Sequence, residues 1–526
     1  MRKLGFMAAA TAMLMTVGTA TIGQADEPKN GGTLVMGTTQ KARHLNPAVQ
    51  SGIATAMPGT QIFATPLRFN DKWEAQPYLA ESWSVSDDGK SITLKLRENA
   101  KFHDGKPITS EDVAFSLQTV KENHPFKSMF APVTGVDTPD PLTAVINFDK
   151  PHPAAFLAMS SALLPIIPKH VYGDGQDPKS HPANNAPVGS GPFKFVEFKP
   201  GEYIILEKNP DYFIEGRPYL DRIIIKNYKD PTSVALAMDT EEINMYPFLA
   251  PTKDIARLKK NDKLVVTDRG YEAVGPINWL AFNTQNEYLK DKKVRQAIAY
   301  AMDRDFIINA LLAGQSKAAT GPIVPGSPFY ADNAEKYDVD LDKANAMLDD
   351  AGFARGDGDM RFKLTIDYIP GSAELQKGVA EYLKSQLKKV GIDVELRASP
   401  DFPTWAKRVG GHDFDMSMDI VFNWGDPVIG VHRTYLCDNI KKGVIWSNTQ
   451  SYCNEEVDKL LNEAGSELDQ EKRVALYKEA QEIIVDDAPL VYINVLPYHT
   501  AYNKQIGNPP LTIWGAMSPL DEVYIK

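Results

Sequence analysis

Long amphipathic helices alternating with short apolar strands fill the second half of this 526-residue chain, and that rhythm commits it to an α/β architecture. Val294, Ile298 and Ala301, then Ile308 and Leu311, recur at helical spacing and predict one helical segment. Val379, Tyr382, Leu383 and Leu387 predict another. Lys388 and Lys389 suit its negative end, Gly391 stops it, and a strand follows over 392–396. Val457, Leu460, Leu461 and Ala464 share a helix face, as do Val474, Tyr477 and Ile484. Pro489 ends that last helix before the apolar stretch 490–495.

Strand signals dominate the first half. Ile92, Leu94 and Leu96 alternate with polar residues after the turn Asp87-Asp88-Gly89, and Phe193 and Phe195 alternate before Lys199-Pro200-Gly201 turns the chain into 203–206. Thr109 caps a helix between them, with Glu111 and Asp112 at its positive end and Val113, Leu117 and Val120 along one face. No fixed-period repeat or low-complexity tract interrupts the pattern.

The N-terminus carries Arg2 and Lys3, an apolar run studded with Thr and Gly, and Gly23-Gln24-Ala25, the pattern of a secretory signal peptide over 1–25. The apolar run is too short and polar for a membrane span, which needs about 20 apolar residues, and no Cys follows the cut to carry a lipid. A soluble periplasmic chain is expected. Its roughly 500 residues exceed the roughly 250–300 at which one core stops growing, so two or more domains are expected. Loss of Arg2 and Lys3 takes the formal charge from −11 to −13, which argues against nucleic acid as a partner. The two cysteines, Cys437 and Cys453, are expected to form a disulfide in an oxidising compartment, closing a polar loop for about 3 kcal/mol. Two free thiols are the alternative.

A search for catalysis finds no candidate nucleophile. Gly189-Ser190-Gly191 lacks the outer glycines of a nucleophile elbow, and Gly89-Lys90-Ser91 has Ser84 where a P-loop needs its first Gly. None of the nine His lies two or four residues from another, and Asp357-Gly358-Asp359 lacks the ligand spacing of a calcium loop. The reading is a non-enzyme without cofactor or metal.

A set of motifs then points further. Ala80-Glu81-Ser82-Trp83 leads through Ser86-Asp87-Asp88-Gly89-Lys90 to Leu96-Arg97, and Phe102-His103-Asp104-Gly105-Lys106-Pro107 precedes Thr109-Ser110-Glu111-Asp112-Val113. Gly189-Ser190-Gly191-Pro192-Phe193, Asn209-Pro210-Asp211-Tyr212-Phe213, Val294-Arg295-Gln296-Ala297-Ile298 and Met302-Asp303-Arg304 follow. Trp424-Gly425-Asp426-Pro427 and Asp486-Asp487-Ala488-Pro489 complete the series. In this collinear order the chain resembles the family 5 extracellular solute-binding proteins, the dipeptide, oligopeptide and nickel receptors of ABC importers. The resemblance implies a type II periplasmic binding protein fold of cluster C: two lobes, two crossing strands and an extra subdomain in the first lobe. The expected division is 26–70 with 188–276 and 496–526 for the first lobe, 71–187 for the extra subdomain, and 277–495 for the second lobe. Crossings are expected at 278–283 and 490–495.

The same resemblance implies a monomer that captures a small peptide or peptide-like solute in the cleft and delivers it to permease subunits in the inner membrane. Receptors for an opine, a sugar derivative or a metal chelate, an exported hydrolase, and a chaperone or signalling role remain as alternatives. In peptide receptors of the family a carboxylate just before the Gly-Asp-Pro turn meets the ligand's ammonium group. Asn423 stands there, so Asp419 or Asp426 must substitute, or the ligand lacks an ammonium group. Gln50, Ser51, Gly52 and Ile53, following Leu45-Asn46-Pro47, are expected to offer backbone groups to an extended ligand. Asn278 and Trp279 sit at the first crossing. Trp405 is expected as an apolar wall, Arg408 as a partner for a ligand carboxylate or else a solvated helix residue, and Trp424 as a cleft-lining anchor.

Overall fold

Two large sheets organise the chain, each assembled from strands distant in sequence. A computed structural model describes residues 27–161, 163–370 and 376–526; the expected signal peptide, 1–25, lies outside the described residues. The first sheet has seven strands, in the order Leu264–Thr267, His499–Asn503, Met245–Leu249, Thr33–Thr38, Arg222–Asn227, Tyr203–Lys208, Phe193–Lys199. Thr33–Thr38 runs parallel to both neighbours and the other pairs are antiparallel. Leu34, Met36, Ile223 and Ile225 alternate onto one buried face, as a period of two requires.

The second sheet has six strands, in the order Lys317–Ala318, Leu490–Val495, Pro276–Phe282, Met416–Phe422, Phe362–Tyr368, Ile392–Ala398. Pro276–Phe282 is buried at every position, as a strand covered on both faces must be. Around it pack the helices Lys292–Tyr300, Gly378–Lys389, Glu455–Ala464 and Gln470–Asp487. A third, four-stranded antiparallel sheet comprises Ala80–Val85, Ser91–Leu96, Thr143–Phe148 and Val133–Asp140. The helix Ser110–Asn123 lies with it and starts where Thr109 predicts: the Thr109 N–H donates to Asp112 Oδ2 at 2.9 Å, and Val113, Leu117 and Val120 are buried.

The chain passes between the two large sheets through 268–275 and again through 496–498. The strands Pro276–Phe282 and Leu490–Val495, which follow and precede these passages, pair side by side in the second sheet. A cavity of about 80 Å³ opens beside the passages, lined in part by Tyr271, Pro276, Lys317, Pro497 and His499.

One expectation from periodicity fails. The segment from Val294 to Leu311 is two helical pieces, Lys292–Tyr300 and then the stretch from Arg304 to Leu311. Asp303 interrupts it: its Oδ1 accepts the Phe306 N–H at 2.8 Å and caps the second piece, so the backbone at Asp303 is extended. The other boundaries follow their signals. Gly391 takes φ +83° after Gly378–Lys389, and Ala488 adopts a left-handed turn between Gln470–Asp487 and Pro489. Replacing the cap, Asp303→Ala, is expected to cost about 1 kcal/mol of stability, read as a lower urea midpoint with an unchanged slope.

Candidate functional site

The turn after Met416–Phe422 is where the second sheet's half of the molecule meets the first. Trp424, at φ +50°, packs its ring against Phe126 at 5.3 Å and Trp514 at 6.2 Å, both from the other half. Gly425, at φ +79°, lies so close to Leu157 that a Cβ there would stand 2.3 Å from its Cδ2. The guanidinium of Arg433 sits over the Phe126 ring, 5.1 Å from its centroid. Side-chain stacking thus joins the two halves at this turn, beside the Asn423 N–H bond to the Gly275 carbonyl at 3.0 Å.

Buried polar contacts hold that turn in shape. Asn423 Nδ2 donates to the Pro322 carbonyl and its Oδ1 accepts the Val324 N–H, each at 2.9 Å, so the amide is spent on the 322–324 loop. Asp426 Oδ1 accepts the Val428 N–H at 3.0 Å and pairs with Arg473 Nη2 at 2.8 Å, with both side chains buried. Asp426 is therefore a structural anchor and not a free substitute for the missing carboxylate.

Asp419 differs. It lies on Met416–Phe422 opposite Trp279 and is 7 % exposed. Its Oδ1 accepts the N–H of the adjacent Ile420 at 2.6 Å, and among the described residues it makes no ion pair. Burial pushes its carboxyl up from 3.8 to about 7, offset in part by that hydrogen bond, by the Trp446 side chain and by the charge of Arg433.

The remaining expected residues lie in several different settings. Asn278 donates to Asn494 Oδ1 at 3.1 Å, tying the two adjacent strands together, and Trp279 stands edge-on to Tyr492. Trp405 is fully buried in a small cluster with Val409 and Phe414, so it backs the surface instead of forming it. Arg408 is committed within the chain: its Nη1 lies 2.5 Å from Asp367 Oδ1, and Arg397 meets the same fully buried carboxylate at 2.8 Å. Asp367 thus occupies the place expected for a ligand carboxylate, and the Arg408 side chain is 19 % exposed. Trp424, expected as a cleft-lining anchor, is 4 % exposed in the seam. Gln50, Ser51 and Gly52 are half-buried, and their backbone N–H groups meet no partner among the described residues, while Ile53 starts the helix Ile53–Ile62 and is buried. Arg433, Trp446 and Phe402 escaped sequence reasoning. Arg433 lies on the short helix His432–Tyr435 and Phe402 opens the helix Phe402–Gly410, while Trp446 lies on the loop between the two cysteines.

Two expected outcomes follow from these contacts. Asn423→Asp replaces the donor facing Pro322 with an acceptor and should cost about 1–3 kcal/mol in urea unfolding; a stable variant that gains affinity for peptide N-termini would contradict this role. For Asp419 the folded pKa is raised, so the native state holds a proton that the unfolded chain releases above about pH 4. Wild-type stability should therefore fall between about pH 4 and about pH 7 relative to Asp419→Asn and stay level above. Parallel urea midpoints of the two proteins across that range check it.

Comparison with known proteins agrees with this architecture. Residues 74–442 match the family described as bacterial extracellular solute-binding proteins, family 5 Middle. The oligopeptide-binding protein AppA of Bacillus subtilis (strain 168) is 29 % identical over 502 residues, 92 % of this chain and 89 % of its own. Its structure with a nonapeptide has a TM-score of 0.80 at 26 % identity, covering 95 % of this chain and 100 % of that one. The probable D,D-dipeptide-binding periplasmic protein DdpA of Escherichia coli K12 is 30 % identical over 488 residues, 90 % of each chain. AgaA in complex with agropinic acid, from A. tumefaciens R10, has a TM-score of 0.79 at 27 % identity, covering 94 % of this chain and 99 % of that one. The fold is the two-lobed type II periplasmic binding protein fold of cluster C, with an extra subdomain in the first lobe. The chain belongs to family 5 of the bacterial extracellular solute-binding proteins.

Proposed function

We propose that this protein is the periplasmic substrate-binding component of an ABC transporter, which captures a small peptide or peptide-like solute between its lobes and hands it unaltered to permease subunits in the inner membrane. The observation that carries the reading is the way the halves meet. Two sheets are joined through the short passages 268–275 and 496–498, and the stacks of Trp424 and Arg433 on Phe126 can part without breaking a strand pair. Hinge closure around a solute fits that construction. In this reading 26–70, 188–276 and 496–526 move as the first lobe, carrying 71–187, and 277–495 moves as the second. The N–H groups of Gln50, Ser51 and Gly52, without a partner among the described residues, suit an extended ligand backbone.

One observation favours a second ligand class. Asn423 cannot turn its amide to a ligand without releasing the 322–324 loop, so an opine-like solute without a free ammonium group fits the turn as well as a peptide does. Export by residues 1–25 places the monomer in the periplasm. There Cys437 and Cys453, whose sulfurs stand 2.09 Å apart, form a disulfide that closes the loop carrying Trp446. No helix among the described residues is long and apolar enough to cross a membrane.

Small-angle scattering on ligand-stripped protein tests the clamshell: a pool of short peptides and low-mass solutes should shrink the radius of gyration, and mass spectrometry should recover the bound solute intact. A radius that does not respond, or a solute recovered cleaved, would refute the receptor reading; cleavage would favour the exported hydrolase. Replacing both cysteines by Ser is expected to lower stability by about 3 kcal/mol in urea, with a matching loss when wild type is reduced.

A further inference from the structure

A cavity of about 520 Å³ lies apart from the seam, between the strand Leu67–Phe69, the passage residue Arg269 and the C-terminal stretch 508–523. Among the described residues, none of 277–495 lines it. Arg68 and Gln76 are paired across the two-stranded antiparallel sheet of Leu67–Phe69 with Ala75–Pro77, so their side chains share one face, and both line the cavity.

The polar groups of this cavity are incompletely satisfied. Asp521 lines it with a side chain only 1 % exposed, and its Oδ1 has no hydrogen-bond partner among the described residues. Side-chain contacts to its Oδ2 are long: 3.4 Å from the Tyr212 hydroxyl, 3.5 Å from Arg68 Nη1 and 3.6 Å from Arg217 Nη1. Charge-assisted hydrogen bonds run to about 2.5–2.9 Å, so the carboxylate is held in place but not saturated. The half-buried Gln76 carboxamide also lacks a partner among the described residues. A buried acceptor left unpaired costs about 1–3 kcal/mol, which a ligand donor would recover.

The charges around the cavity cancel in pairs. Arg269 meets Asp71 at 2.7 Å, Arg217 pairs with Glu522, and Arg68 reaches both Asp521 and Glu522 at 3.5 Å. A charged ligand would therefore enter with no counter-ion to spare, which burial penalises. A hydroxyl both donates and accepts, so it suits the Asp521 acceptor, the Arg68 donors and the Gln76 amide together. Pro509 and Leu511 add apolar surface beside these groups.

We propose that this cavity binds a neutral saccharide, with Asp521 accepting from one hydroxyl, Arg68 and Gln76 bonding its neighbours, and Pro509 and Leu511 against the C–H face of the ring. The site is separate from the interlobe cleft and goes beyond the receptor reading. Its volume falls within the roughly 300–1,000 Å³ of small-molecule pockets. Because the second lobe supplies none of the described lining residues, the sugar binds without drawing the lobes together.

The test is isothermal titration of ligand-stripped, full-length mature protein with glucose, galactose, mannose, N-acetylglucosamine, maltose and cellobiose. Glucosamine and glucuronate serve as charged counterparts. At least one neutral sugar is expected to bind, at least tenfold more tightly than either charged one, and to leave the radius of gyration unchanged in small-angle scattering. Asp521→Asn should weaken that sugar about tenfold and Gln76→Ala about threefold, the loss of one hydrogen bond to a charged and to a neutral group. Gln76→Ala carries the test should Asp521→Asn fail to fold, since Asp521 also ties Arg68 to Arg217. No heat with any neutral sugar, a charged sugar binding as tightly, or an unchanged affinity in either folded variant overturns the proposal. So does a sugar that contracts the protein, which would put it in the interlobe cleft and leave the receptor reading standing.

Discussion

Everything at the seam depends on the buried pair between Asp426 and Arg473. The carboxylate lies at the start of the turn, and the guanidinium comes from the helix Gln470–Asp487, so one 2.8 Å contact pins the turn to the body of the second lobe. Such a pair contributes little net stability compared with apolar residues of the same shape, but losing one partner strands a charge in a dry site. Arg473 is further held by the Ala464 carbonyl, which leaves it little freedom to follow a ligand. The turn therefore approaches the first lobe as a rigid wedge, with Trp424 at its tip.

That division of labour has a mechanical consequence. Contacts inside the second lobe near the turn are buried, polar and directional: Asn423 to Pro322 and Val324, Asp426 to Arg473, Arg408 and Arg397 to Asp367. Contacts of Trp424 and Arg433 across the seam are ring stacks and a guanidinium over Phe126, worth about 0.5–2 kcal/mol each, and beside the passages the exposed Lys317–Asp268 pair at 2.8 Å adds a salt-screened contact. Rigid faces joined by a forgiving contact are what a clamshell needs, since closure must be reversible with modest ligand affinity. The same rigidity explains why the two carboxylates nominated from sequence are not equivalent. Asp426 is already paired with Arg473, whereas Asp419 has no ion-pair partner among the described residues.

Much of the fold was legible in local chemistry. The Thr109 cap, the stop at Gly391, the helix ended by Pro489 and the alternation of Ile92, Leu94 and Leu96 all rest on interactions within a few residues, and each occurs where expected. The break at Asp303 is the instructive exception. Apolar spacing on either side is compatible with one helix, and only the competition of a side-chain carboxylate for the Phe306 N–H ends the first piece. The site was less legible because its residues are defined by partners. Arg408 reads as a free cation until the strand Phe362–Tyr368 brings Asp367 under it, and Trp405 and Trp424 read as surface anchors until their neighbours bury them.

The sequence alone determined the family, the alternation of strand and helix, the capped helix boundaries other than the break at Asp303, and the absence of a carboxylate at residue 423, because motifs, caps and periodicity are short-range and survive without coordinates. Only the tertiary structure decided which charges are spent and which remain. Pairing of Asp426 with Arg473, of Asp367 with two arginines, and the isolation of Asp419 and Arg433 join residues from separate elements. Burial sets their energetics, and burial is a property of the packed chain that no local stretch of sequence contains.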